Sequence, residues 1–187
     1  MNINQLSDCI LDLEPNTKNY PIKSHLVNGL ISIIIRNPFH DIELVKIEEY
    51  ITKQINIDKN KKLAICELSD EKFISDLKSR LSIFNKFKFE DREYILEDHK
   101  IISGVINANN TLSSVNILSL IDEDDKSIYV YIPLTSKETI IGYQNQSMNI
   151  PYNGAYLFFN PIKIKLIRTG YERAFILCKF GYRAIKN

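Results

Sequence analysis

The feature that most constrains this chain is a change of hydrophobic period near Arg92. Before that point apolar residues recur every three or four positions. Leu44, Ile47, Ile51 and Ile55 alternate with Glu43, Lys46, Glu49 and Lys53, and Phe73, Leu77, Leu81 and Phe84 repeat the pattern. Such spacing places one apolar stripe on each of two helices, predicted over 41–56 and 70–84, with Asp41 and Ser69 as their N-caps. A run rich in isoleucine, Leu26–Arg36, precedes them and stops at Asn37-Pro38, so it reads as one buried strand; Leu63–Leu68 reads as a short one. After Arg92 the period falls to two. Strands are expected near 93–97, 100–107, 112–121, 127–134, 138–143, 155–159, 162–168 and 172–182. Turn signals separate them at Asn109-Asn110, Asp122–Lys126, Asn153-Gly154 and Thr169-Gly170. A helical first half and a second half of about eight antiparallel strands define an α+β chain whose sheets close as a sandwich, jelly roll or barrel.

With 187 residues, residues 1–25 are expected to form an N-terminal arm, containing Pro15 and Pro21, and 26–187 one domain. A domain of this size buries roughly 70% of its unfolded surface and needs no metal or disulfide staple. The 24 basic and 23 acidic residues leave a net charge of +1, which argues against a nucleic-acid partner. No segment reaches the ~18 consecutive apolar residues of a membrane helix, so no membrane partner is expected. Cys9, Cys66 and Cys178 are widely spaced and odd in number, as expected of free thiols in a reducing compartment. They read as small buried hydrophobes in a cytoplasmic protein.

Phosphate-cradling glycine loops and the GxSxG nucleophile turn are missing from the sequence. The three histidines, His25, His40 and His99, form no metal-binding spacing, and His99 follows Glu97-Asp98 in a turn-like position. The run Asp122-Glu123-Asp124-Asp125 offers hard oxygen ligands for calcium, but it lacks the EF-hand spacing and reads as a solvated hairpin turn. The Lys59–Lys62 run reads as another solvated turn. The ten tyrosines and nine phenylalanines fall mostly on apolar strand positions, as core residues do.

One segment resembles a known family. Ile150-Pro151-Tyr152-Asn153-Gly154-Ala155-Tyr156-Leu157-Phe158-Phe159, then Asn160–Gly170 and Glu172-Arg173-Ala174-Phe175-Ile176-Leu177, is similar to the end of the double-stranded β-helix of 2-oxoglutarate and Fe(II)-dependent oxygenases, the prolyl and aspartyl hydroxylases. Its pattern is a turn glycine, an apolar strand ending in phenylalanine, a histidine, and an arginine about ten residues later. Ser127–Leu134 and the order strand, Asn37-Pro38-Phe39 break, helix from Asp41 fit the same family. The resemblance spans 26–182. It implies a double-stranded β-helix with an N-terminal strand and two covering helices, and a pocket containing Asp122, Tyr131, Lys163 and Arg173.

In that family two histidines and a carboxylate hold iron, leaving positions for cosubstrate and oxygen. Here the HxD site falls on Leu120-Ile121-Asp122 and the distal histidine on Lys163. Arg173 matches the arginine that pairs with 2-oxoglutarate; its plainer reading is a surface ion pair. The expectation is a non-catalytic oxygenase-like domain without cofactor, binding a protein or small molecule. The alternatives are an active Fe(II)/2-oxoglutarate hydroxylase with an atypical ligand set, drawing on another carboxylate or His99, and an unrelated jelly-roll interaction or structural protein. Lys163 either stands in for the metal beside Asp122, or faces solvent on a strand whose Ile162, Ile164 and Leu166 face the core.

Overall fold

The structure is a computed structural model, and it describes residues 23–27, 30–55, 63–82, 85–89, 92–106, 114–116, 127–134, 139–143, 146–150, 154–159, 165–167 and 173–185. Residues 1–22, Cys9, the Lys59–Lys62 run, Phe84 and the 122–125 acidic run lie outside them. The elements run β1 (Lys23–Val27), β2 (Leu30–Arg36), α1 (Asp41–Gln54), β3 (Leu63–Glu67), α2 (Glu71–Arg80), β4 (Lys86–Phe89), β5 (Arg92–Ile106), β6 (Ser114–Asn116), β7 (Ser127–Pro133), β8 (Thr139–Tyr143), β9 (Gln146–Ile150), β10 (Gly154–Phe159), β11 (Lys165–Ile167) and β12 (Arg173–Ala184). The α+β class is as expected from the change of period.

Two antiparallel sheets result. The larger runs β1-β2-β10-β7-β12-β5-β3, with β4 also paired to β5; the smaller runs β6-β11-β8-β9. Both helices lie on one face of the large sheet. Leu44 and Ile51 of α1 and Leu77 of α2 share a buried cluster with Ile101 and Val105 of β5, Val130 and Ile132 of β7, Leu157 of β10 and Ile176 of β12. Burying each such side chain is worth about 1.5–3 kcal/mol, so this stripe-on-sheet contact holds the helix layer in place. Among the described residues no helix is long and apolar enough to cross a membrane.

Several local expectations are corrected. The strand expected at Leu26–Arg36 is a hairpin, β1 against β2, with Val27 paired to Leu30. The Asn28-Gly29 dipeptide between them is the strongest short-range hairpin signal, and it outweighs the unbroken apolar run. The hairpin begins at Lys23, inside the stretch read as an arm. Helix α1 is capped by His40 rather than Asp41: the Glu43 carboxylate accepts from the His40 backbone N–H at 2.8 Å. Helix α2 is capped by Asp70, whose side chain accepts from the Phe73 N–H at 3.0 Å. Ser69 comes too early, because the Leu68 N–H still donates to the Ile101 carbonyl on the sheet. The helix stops at Arg80, and the Asn85 N–H donates to the Ser82 carbonyl as the chain turns back into β4.

His99 does not sit in a turn. It lies inside β5, which runs unbroken from Arg92 to Ile106, and is paired with Phe180. Glu97, Asp98 and His99 are all exposed, so a strand that is wet on both faces there reads in sequence like a loop. Glu97 pairs with Arg183 at 3.3 Å, and Gly181 leaves room for Asp98, whose carboxyl carbon would lie 3.0 Å from an added Cβ. The expected strands 93–97 and 100–107 are therefore one, while β9 was not foreseen. From Arg92 onward the described strands still number eight.

Candidate binding site

Period-two alternation gives the large sheet a second buried face, opposite the helices. On β7 it carries Tyr129 and Tyr131, on β10 Tyr156, on β12 Phe175 and Leu177, and on β5 Ile102 and Ile106; none is more than 7% exposed. The ladder aligns them in rows. Tyr131 is opposite Tyr156 on one side and Leu177 on the other, and Leu177 is opposite Ile102. In the next row Phe175 stands between Pro133 and Gly104. The Tyr131 and Phe175 rings tilt against each other with centroids 5.4 Å apart. Gly104 is where the far edge of the Phe175 ring comes against the sheet: a Cβ there would stand 2.7 Å from Phe175 Cε1.

Tyr131 is thus placed at the centre of this buried aromatic face, fully inaccessible. Arg173 opens β12, two residues before Phe175 and in register with Ile106. Four residues of strand, roughly 13 Å, separate it from Leu177, the partner of Tyr131. Asp122 and Lys163 lie outside the described residues. The strand expected at 162–168 is described as β11, Lys165–Ile167, in the small sheet between β6 and β8.

Phe175, Tyr156 and Gly104 form one cluster that the local sequence pattern does not reveal. Their strands are buried on both faces, so alternation gives no hint of which face is which.

His40 is exposed at the cap of α1. His99 alternates with Ile101 and Val105 on the helix side of β5. Its pKa is held below the ordinary value by partial burial and then by Lys78 of α2, with Asp98 opposing. His25 sits on β1, the outermost strand of the large sheet, opposite Ser32. His99 therefore lies on the reverse face of the sheet from Tyr131. With the chain's three histidines so placed, its residues do not fit the two-imidazole, one-carboxylate triad of an Fe(II) oxygenase.

The thiols diverge. Cys178 is fully buried in the helix-side core, where burial pushes its thiol far above the ordinary value. Cys66 is exposed on β3, against the expectation of a buried hydrophobe.

No family model and no curated protein sequence matches the chain. Solved structures do. A prolyl-4-hydroxylase from Pseudomonas putida superposes with a TM-score of 0.58 at 9% identity, covering 95% of this chain and 99% of that one. A Trichoplax adhaerens prolyl hydroxylase, in complex with a hypoxia-inducible-factor oxygen degradation domain peptide, gives 0.55 at 11% identity over 94% of this chain and 89% of that one. An oxidoreductase of the 2OG-Fe(II) oxygenase family from Burkholderia pseudomallei gives 0.52 at 13% identity, over 92% and 89%. At such identities the likeness is one of fold.

Proposed function

We propose that this chain, a domain with the fold of the 2-oxoglutarate/Fe(II) oxygenases, is non-catalytic and acts by binding a protein or a small molecule. The observation that carries the reading is the placement of His25, His40 and His99 on an edge strand, a helix cap and the helix side of the sheet. Oxygen activation in this fold needs iron, and a lone carboxylate at Asp122 holds Fe(II) weakly without imidazole partners. By the family pattern Arg173 is the residue assigned to ligand binding, since a guanidinium pairs bidentately with a carboxylate, while the buried Tyr131 helps form the wall behind it. The reading is tested by succinate release from 2-oxoglutarate with Fe(II) and ascorbate supplied. It should stay at the level of a protein-free control, and turnover well above that level would establish an enzyme instead.

Lys163 is assigned the place that iron takes in the family, paired with Asp122. A carboxylate left alone in a partly buried pocket costs several kcal/mol if fully desolvated. An ammonium on a flexible stem offsets that cost. Lys163→Ala should then destabilise the protein by about 1–3 kcal/mol, and adding Asp122→Asn should restore part of the loss. A solvent-facing Lys163 would instead change stability by less than ~0.5 kcal/mol, with no coupling to Asp122 in the double-mutant cycle.

A further inference from the structure

The tyrosine face runs out to an open sheet edge. Ala64 of β3 packs on the helix-side cluster and is paired with Val105. Leu63, Ile65 and Glu67, paired with Ile106, Gly104 and Ile102, therefore stand on the tyrosine side. Two cross-sheet rows continue to the edge. One runs from Pro133 through Phe175 and Gly104 to Ile65, the other from Tyr131 through Leu177 and Ile102 to Glu67. Burial ends there: Ile102 and Ile106 are buried, whereas Ile65 is 47% exposed and Glu67 is exposed too.

Backbone direction follows from one hydrogen bond. The Leu68 N–H donates to the Ile101 carbonyl, so Ala64 and Cys66, which alternate with it, turn their N–H and C=O groups towards β5. Leu63, Ile65 and Glu67 turn theirs outwards, where no strand pairs with them among the described residues. Lysine, proline or a bulge normally guards such an edge. The other two outer strands of the large sheet carry lysines, Lys23 in β1 and Lys86 and Lys88 in β4. Leu63-Ala64-Ile65-Cys66-Glu67 has neither lysine nor proline, and its ladder to β5 shows no register shift.

We propose, on the basis of the binding reading above, that β3 takes up an extended peptide of a partner protein as an added strand, with an apolar side chain opposite Ile65 and a lysine or arginine opposite Glu67. Apolar and opposite-charge pairs are the favourable ones across a ladder. Exposed Glu67, Asp70 and Glu71 outnumber Lys72 at that end, and Glu67 makes no ion pair among the described residues. A second copy's β3 brings no basic residue to meet Glu67, so charge selects a different, basic strand.

Amide hydrogen exchange read by NMR, with and without the end-blocked peptide Lys-Thr-Val-Thr-Val, tests it. In antiparallel pairing the lysine faces Glu67 and the valines face Ile65 and Leu63. Without peptide, the Ile65 and Glu67 amides should exchange at least about tenfold faster than those of Ala64 and Cys66. Peptide should slow Ile65 and Glu67 saturably, with a Kd on the order of hundreds of micromolar, as suits so short a contact. Glu-Thr-Val-Thr-Val should bind at least about fivefold more weakly, and Glu67→Lys should reverse that preference, which loss of folding cannot do. Ile65→Pro, which removes an outward N–H and leaves the bonds to β5, should abolish binding. No saturable effect by about 5 mM peptide, or an unaltered preference in Glu67→Lys, overturns the proposal. So does protection of Ile65 and Glu67 without peptide, whether constant or rising with protein concentration, since the edge is then already covered by this chain or a second copy. Failure here leaves the non-catalytic reading standing, because succinate release alone decides that.

Discussion

Gly104→Ala should cost about 2–4 kcal/mol of stability, read from the urea midpoint. Central strands disfavour glycine, and its retention needs a reason. Here the reason is the far edge of the Phe175 ring, which occupies the place of a side chain at Gly104: an added Cβ would stand 2.7 Å from Cε1 and 3.2 Å from Cε2. The ring has nowhere to go. It is fully buried and tilts against Tyr131 at 5.4 Å. In a Phe175→Leu background the same substitution should cost less than about 1 kcal/mol, because the smaller side chain vacates the space. Equal costs in both backgrounds would mean that Phe175 does not pack on Gly104. The strain falls two residues from Arg173, so Gly104→Ala should also weaken any ligand that Arg173 holds.

Arg80→Met should destabilise by about 2–3 kcal/mol. This guanidinium closes the helix layer. It donates to Glu43 at 2.8 and 2.9 Å, to the Pro38 carbonyl at 3.1 Å and to Asp76 at 2.9 Å. It also lies 5.2 Å from the centroid of Phe39, whose ring stacks on Phe73. One side chain thereby ties the break after β2, the start of α1 and the end of α2. Asn37 completes the junction: it donates to the Pro133 carbonyl at 3.0 Å and accepts from the Phe39 N–H at 3.1 Å. Arg80→Lys should recover little, because an ammonium cannot make the planar fork.

The same network sets an acid sensitivity. Arg80, and then the His40 N–H, lower the Glu43 pKa from 4.5 to about 2. A carboxylate depressed on folding stabilises fully above its unfolded pKa and loses that contribution as pH falls towards the folded one. Stability should therefore drop between about pH 5 and pH 2. Because both side chains are about a third exposed, solvent screening leaves this part at about 1–2 kcal/mol. In Arg80→Met this component of the acid loss should be missing from the pH profile.

How far the sequence discloses this protein depends on the residue. The helix stripes were legible because α1 and α2 are wet on one side: Leu44, Ile51 and Leu77 are buried while Ile42 and Val45 are exposed. Strand identity was legible, but strand faces were not. Every residue of β7 is buried, so nothing in Ser127–Pro133 distinguishes the helix side from the tyrosine side. At Lys23–Arg36 the isoleucine run masks a hairpin, although Asn28-Gly29 carries the stronger local constraint. The polar triplet Glu97-Asp98-His99 misled in the opposite direction, since a solvated strand and a turn share one composition. The candidate site was legible only in part. Tyr131 and Arg173 fall on adjacent strands of one sheet, whereas Asp122 and Lys163 remain an assignment from the family pattern. The position of His99, on the reverse face from Tyr131, follows from strand register and could not be read locally.

If the domain is non-catalytic as proposed, it should not hold catalytic iron. Equilibrium titration of Fe(II) under anaerobic conditions, on protein purified without a histidine tag, tests it most directly. The account predicts no saturable binding in the micromolar range and an iron content well below about 0.1 per chain after desalting. About one iron per chain, bound at micromolar Fe(II) and lost on Asp122→Ala, would contradict it.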